Sequence, residues 1–218
     1  MRQNFSAQIM GANGVGKGVG IVLKNEREVI RMKITLIRHG KVNMKWKKWY
    51  TSEQFDRDCA KYDSSPICPI DDKQEGLWGE IYISTLQRSF HTAERLFGEC
   101  EFTETELLNE VPLRSFCDSK ISLPLWMWNV GGRLQWMMQS RRQPERKADT
   151  QKRAGQLVEK LIEQNKDCIL VSHGFFMRTL LAELKRQGFC ISKSGVGIAN
   201  LAQITAVKSI KGETANYL

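Results

Sequence analysis

Two apolar runs in this chain end in the same way. Ile34-Thr35-Leu36-Ile37 leads into Arg38-His39-Gly40, and Cys168-Ile169-Leu170-Val171-Ser172 leads into His173-Gly174. Short β-branched runs of this kind read as buried strands, and a glycine lets the backbone turn directly after them. One arginine and two histidines are thus presented at strand carboxyl ends, the edge of an open α/β sheet where ligands bind. Arg88 falls in the first turn of a predicted helix over Leu86–Phe97, beside free N–H groups that already favour an anion. An arginine there opposes the helix macrodipole, so a bound anion explains it better than a plain surface position. Two arginines and two histidines around one point suit a phosphoryl group. Guanidinium forks match its oxygens and stabilise the charge that spreads in the transition state. A histidine that is neutral on one nitrogen, with its tautomer fixed through the other, can act as nucleophile. A carboxylic acid must then protonate the leaving oxygen and later activate water, and the residues alone do not single one out.

The elements that would position these groups alternate along the chain. Ile81-Tyr82-Ile83 reads as a strand closed by Ser84-Thr85, and the helix that follows has an apolar face of Leu86, Phe90, Ala93, Leu96 and Phe97, stopped by Gly98. A short helix runs from an N-cap at Ser52 to about Tyr62, followed by a loop over Asp63–Gly76. A long helix from Asp149 to about Asn165 has a core stripe of Ala154, Leu157, Val158, Leu161 and Ile162. Phe175–Gln187 buries Met177, Leu180, Leu181 and Leu184 and ends at Gly188, and Ile198–Val207 supplies a last strand. Strands alternating with helices indicate an α/β chain whose mostly parallel sheet is covered on both faces. Lys41–Tyr50, where cations alternate with aromatics, is expected to be pocket wall. Ile121–Met138, with Trp126, Trp128 and Trp136 around Gly131-Gly132-Arg133, is too apolar for a plain solvent-facing helix. It suits a lid, an apolar substrate wall, a subunit interface or a core helix pair.

Near the N-terminus, Gly11–Gly18 almost spells a phosphate-cradling P-loop. Gly18 stands where a Ser or Thr would hold magnesium, and no helix pattern follows, so a glycine-rich lead-in is the better reading. Met32 directly precedes the key strand. The expected organisation is an extension over 1–31, flexible or adding Gly20–Leu23 as an edge strand, a domain over 32–208 and a tail over 209–218.

A chain of 218 residues with 41% hydrophobic content can bury one sizeable core. The formal charge of +9 suits an anionic partner. Its cations are scattered, which argues against nucleic acid and leaves a small phosphorylated substrate. Six cysteines without C-x-x-C spacing suggest reduced thiols in the cytoplasm. No apolar run spans a membrane and no export signal core is present, so no membrane partner is expected.

Four blocks together carry a resemblance. Leu36-Ile37-Arg38-His39-Gly40, Ser84-Thr85-Leu86-Gln87-Arg88-Ser89-Phe90-His91-Thr92-Ala93, Leu108-Asn109-Glu110 and Val171-Ser172-His173-Gly174 resemble, in order and spacing, the signature blocks of the histidine phosphatase (phosphoglycerate mutase-like) superfamily. The resemblance implies a three-layer α/β/α sandwich around a mostly parallel, mixed six-stranded sheet. It also implies His39 as nucleophile, Arg38, Arg88 and His173 on the phosphoryl oxygens, Glu110 as general acid and then base, and no metal or other cofactor. After Arg-His-Gly the family usually has Glu or Gln, then Thr or Ser, then Asn three residues on; here Lys41, Val42 and Lys45 stand there, leaving Asn43 and Lys45 as secondary phosphate contacts. The expected activity is a metal-independent phosphomonoester hydrolase acting through phosphohistidine on a small phosphorylated metabolite. A mutase-type phosphotransferase and a phospho-ligand binding protein with little turnover are the alternatives. A homodimer through the Trp-rich segment is a further expectation.

Overall fold

A computed structural model describes residues 28–71, 76, 77, 79–192 and 198–211. The expectations for Gly11–Gly18 and for Gly20–Leu23 lie outside these residues. The elements are β1 (Glu28–Arg38), β2 (Trp49–Tyr50), α1 (Ser52–Ser64), β3 (Glu80–Ile83), α2 (Gln87–Phe97), β4 (Phe102–Glu104), a 3-10 turn (Glu106–Leu108), β5 (Leu123–Pro124), α3 (Leu125–Met137), α4 (Lys147–Gln164), β6 (Cys168–Ser172), α5 (Gly174–Arg186), β7 (Cys190–Ile191) and β8 (Gln203–Lys211). Six strands form one mixed sheet in the order β4-β3-β6-β1-β8-β7, and β2 pairs with β5 in a separate ribbon. From β4 to β1 the neighbours are parallel; β8 and β7 add antiparallel pairs.

The central strands are apolar on both faces, as strands covered on both sides must be. Ile34, Leu36, Cys168, Leu170, Ile204 and Ala206 form one core with Leu157, Leu161, Met177 and Leu180 of α4 and α5. Ile37, Ile83, Ile169 and Val171 point the other way, onto Ala93 and Leu96 of α2. The sheet therefore lies between two helical layers, the expected three-layer α/β/α arrangement.

Several local expectations are corrected. β1 begins at Glu28 and β8 ends at Lys211, so the sheet runs past residues 32 and 208 at both ends. β8 starts at Gln203, which leaves 198–202 as a connection that reaches the site. Thr51, not Ser52, caps α1, because its hydroxyl accepts from Gln54 N–H while the Gln54 side chain accepts from Thr51 N–H. The buried face of α2 includes Arg88, Ser89 and Thr92 as well as Ala93 and Leu96, whereas Phe90 is exposed. Hydrogen bonds explain the exchange: Ser89 donates to Val171 O (2.7 Å), and Thr92 donates to Arg88 O (2.6 Å) while accepting from Gly40 N–H (2.9 Å). The Trp-rich segment divides. Trp128 is fully buried against Phe55, Phe116 and Tyr50, while Trp126, Val130, Leu134 and Met137 face outward.

Candidate active site

The register of β1 on β6 sets Arg38 opposite Ser172, so the residues that follow each strand also meet. His39 and His173 have ring centroids 5.0 Å apart. His39 is 2% exposed, and its Nδ1 lies 2.7 Å from the carbonyl oxygen of Gly40. A carbonyl only accepts, so Nδ1 carries the hydrogen and Nε2 is bare. No group among the described residues bonds that Nε2. Burial, with Arg88 beside it, pushes the His39 pKa down from 6.5 to about 3, so the ring is neutral.

His173 is fixed in the opposite tautomer. Arg88 Nε donates to its Nδ1 (3.1 Å), and arginine has no acceptor, so the hydrogen of His173 must sit on Nε2, where it donates to Ser84 Oγ (2.6 Å). Burial, then the Arg88 charge, holds His173 well below its ordinary pKa. Both of its ring nitrogens are thus occupied by protein, unlike those of His39. Arg88 itself is 1% exposed; its Nη1 pairs with Asp63 Oδ1 at 2.8 Å, and its guanidinium lies 5.1 Å from the Tyr62 ring centre. Arg38 donates through Nη1 to Ile198 O, while its Nε is buried with no partner among the described residues. Gly174 makes room for that guanidinium: a Cβ there would lie 2.8 Å from Arg38 Nε.

Glu110 is held at the start of α5. Its Oε1 accepts from the N–H groups of Val111 (2.9 Å) and Phe176 (2.9 Å), and its Oε2 accepts from Phe175 N–H (3.2 Å). A loop carboxylate thus satisfies free N–H groups of the helix end. Oε1 has both acceptor sites filled and Oε2 keeps one, so Oε2 is the oxygen able to hold a proton. Arg38, Tyr62, Arg88, Asn109, Glu110 and Arg133 line a cleft of about 950 Å³; His39 and His173 are buried and are not among its lining residues, but Arg88, which bonds His173, is.

The structure thereby brings together Arg38, His39, Arg88, Glu110 and His173. Asn43 and Lys45 are exposed and line no part of the cleft, although Trp46 from the same segment does. Val42 bridges to Ile67 and Asn43 N–H donates to Pro66 O, which turns that stretch along the surface. Sequence reasoning missed Asp63, the fixing of His173 by Ser84, and Arg133. A lone arginine inside a Trp- and Met-rich stretch was the available signal for the last; nothing in the spacing marks Asp63. Among the described residues, no group of three or more His, Cys, Asp or Glu side chains gathers as metal ligands would.

The sequence model of the histidine phosphatase superfamily (branch 1) matches residues 73–193. That span holds Ser84, Arg88, Glu110 and His173, and the pairing of β1 with β6 adds Arg38 and His39. Among solved structures, the native mycobacterial glucosyl-3-phosphoglycerate phosphatase is 16% identical, with a TM-score of 0.50 over 82% of this chain and 95% of that one. The same mycobacterial enzyme complexed with VO3 is 17% identical, with a TM-score of 0.50 over 82% and 96%. Phosphoserine phosphatase from Entamoeba histolytica, in complex with 3-phosphoglyceric acid, is 19% identical at a TM-score of 0.47 over 84% and 98%. No curated protein matches. The structural likeness is one of fold, and the family match spans more than half of the sequence: the chain belongs to the histidine phosphatase superfamily, branch 1, as a histidine-dependent phosphatase.

Proposed function

We propose that this protein is a metal-independent phosphomonoester hydrolase acting through a phosphohistidine on a small phosphorylated metabolite. The observation that carries the reading is His39, a neutral ring whose Nδ1–H is committed to Gly40 O and whose Nε2 is bare beside two arginines. In the first step Nε2 attacks phosphorus, the N–P bond forms and the ester P–O bond breaks. Glu110, in its acid form, passes the Oε2 proton to the leaving oxygen. In the second step Glu110 takes a proton from water, the hydroxide attacks phosphorus and His39 is released. The guanidinium of Arg38, which lines the cleft, and the free edge of Arg88 hold the phosphoryl oxygens. His173 acts through Arg88, and its own N–H reaches a phosphoryl oxygen only by leaving Ser84. The cleft volume of about 950 Å³ supports a small-molecule substrate. We place the protein in the cytoplasm, a reading supported by six unpaired cysteines.

The test is hydrolysis of an aryl phosphate with a chelator present, in wild type and in His39→Ala. Activity that survives the chelator and vanishes in the variant, with phosphate affinity retained, is expected. Activity that needs an added metal, or that persists in the variant, would overturn the proposal.

A further inference from the structure

The catalytic cleft takes only Trp46 from the stretch Lys41–Tyr50, in which cations alternate with aromatics. Trp46 also lines a second, open groove of about 620 Å³, together with Lys47, Lys48, Trp49, Leu125 and Asn129. The backbone under this groove is fastened. Lys47 N–H donates to Tyr50 Oη (2.6 Å), Leu125 N–H donates to Lys48 O (2.9 Å), and Trp49 sits opposite Pro124 in the β2–β5 ribbon. The side chains above it are free. Trp49 is 57% exposed and meets no other ring among the described residues. Lys47, Lys48 and Asn129 are exposed too, and their side chains make no ion pair or hydrogen bond among those residues. No Asp or Glu stands in 41–52 or in 119–144, the two segments that meet here. The carboxylate of Asp58 is taken by the Tyr50 hydroxyl, which donates to it at 3.0 Å.

Each of these groups offers one part of a ligand. An exposed indole is a stacking face, and any base can stack on such a ring. Two adjacent lysines without a counter-ion attract an anion, and an ammonium serves a phosphate as a point charge. A side-chain amide both donates and accepts, as the edge of a base does. A concave groove of this volume suits a small molecule rather than a flat bilayer or a long strand. We propose that this groove binds a nucleotide: its base stacks on Trp49, Asn129 meets the base edge, and Lys47 and Lys48 hold its phosphates. The site takes nothing from Arg38, His39, Arg88 or Glu110, so it stands independently of the hydrolase reading.

Calorimetry on the His39→Ala protein, which removes the proposed turnover, tests it with ADP and GDP, and with adenosine, guanosine and pyrophosphate as their parts. At least one nucleotide should bind with a Kd of about 0.1 mM or tighter, and about tenfold or more tighter than its nucleoside or pyrophosphate. Adding Trp49→Ala should weaken that binding about tenfold, and Trp49→Phe, which keeps a ring, should restore part of it. Adding Lys47→Gln with Lys48→Gln should weaken it to a similar degree and remove most of its dependence on salt. Absence of nucleotide binding would overturn the proposal, and so would pyrophosphate binding as tightly as ADP, which would reduce the site to bare charge. A loss with Trp49→Ala but none with the lysine pair would put the phosphates elsewhere and overturn it as well. Phosphatidylglycerol vesicles or a single-stranded oligonucleotide captured more tightly than either nucleotide would give the groove to that partner instead.

Discussion

At the scale of single residues, the Gly40 carbonyl decides which nitrogen of His39 is bare, and Arg88 decides the tautomer of His173. Glu110, with one acceptor site left on Oε2, is the group proposed to move both protons. Replacing it should therefore matter in proportion to how much the leaving group needs a proton. Glu110→Gln should slow hydrolysis of alkyl phosphates by about 100-fold or more, and that of a nitrophenyl phosphate much less. A leaving-group series measures this, and a uniform loss across the series would remove Glu110 from the acid role. The depressed histidines also tie stability to pH. Unfolded, His39 binds a proton near pH 6.5; folded, it does so only near 3. Between those values the unfolded state holds the extra proton, so stability is lost as pH falls through that window. Melting temperature should drop from pH 7 toward pH 4, and less steeply in His39→Gln than in wild type. Equal slopes would contradict the buried, neutral ring.

At the scale of elements, the site depends on β1 and β6 lying side by side in register and on α5 starting directly after His173. Gly174 is the tightest part of that junction. Gly174→Ala should displace the Arg38 guanidinium and raise the inhibition constant for phosphate roughly tenfold, the cost of one charge-assisted hydrogen bond, with little change in melting temperature. Unchanged phosphate inhibition would show that Arg38 takes no part in holding the anion. These junctions were legible in the sequence because apolar runs ending in His-Gly announce both the strand and its stop. The stripes of α4 and α5 were legible because helical spacing of Ala154, Leu157, Leu161, Met177 and Leu180 admits one reading. β4 and β7 were not, since edge strands of a few residues carry no periodicity. The face of α2 was misread because buried Arg88, Ser89 and Thr92 are satisfied by partners distant in sequence, which spacing cannot show. Asn43 and Lys45 follow His39 closely in sequence, yet the backbone turns outward at Val42.

At the scale of the whole molecule, the scattered excess of cations fits the cleft, where arginine charges are mostly matched by nearby carboxylates and only a few are left to bind ligand. The outer side of α3 has a different character. Trp126 is 64% exposed, and Val130, Leu134 and Met137 continue an apolar stripe from it along the helix. Self-association through this stripe, expected from the sequence, predicts that Trp126→Glu combined with Leu134→Glu lowers the mass read by light scattering from dimer to monomer while aryl phosphate hydrolysis persists. An identical mass for both proteins would remove this helix as a self-association surface. The buried side of the same helix carries Trp128 into the aromatic cluster and turns Arg133 toward the cleft, so one helix connects the outer surface to the cleft.

The defining step of the proposed reaction is a covalent bond between phosphorus and His39. Rapid acid-free quenching of wild type during turnover, followed by mass analysis of the peptide containing Arg38-His39-Gly40, tests it directly. An acid-labile, base-stable phosphoryl group on His39 that forms and decays at the rate of turnover is the predicted result. Turnover with no phosphoryl group on that peptide, or with one on His173 instead, would contradict it.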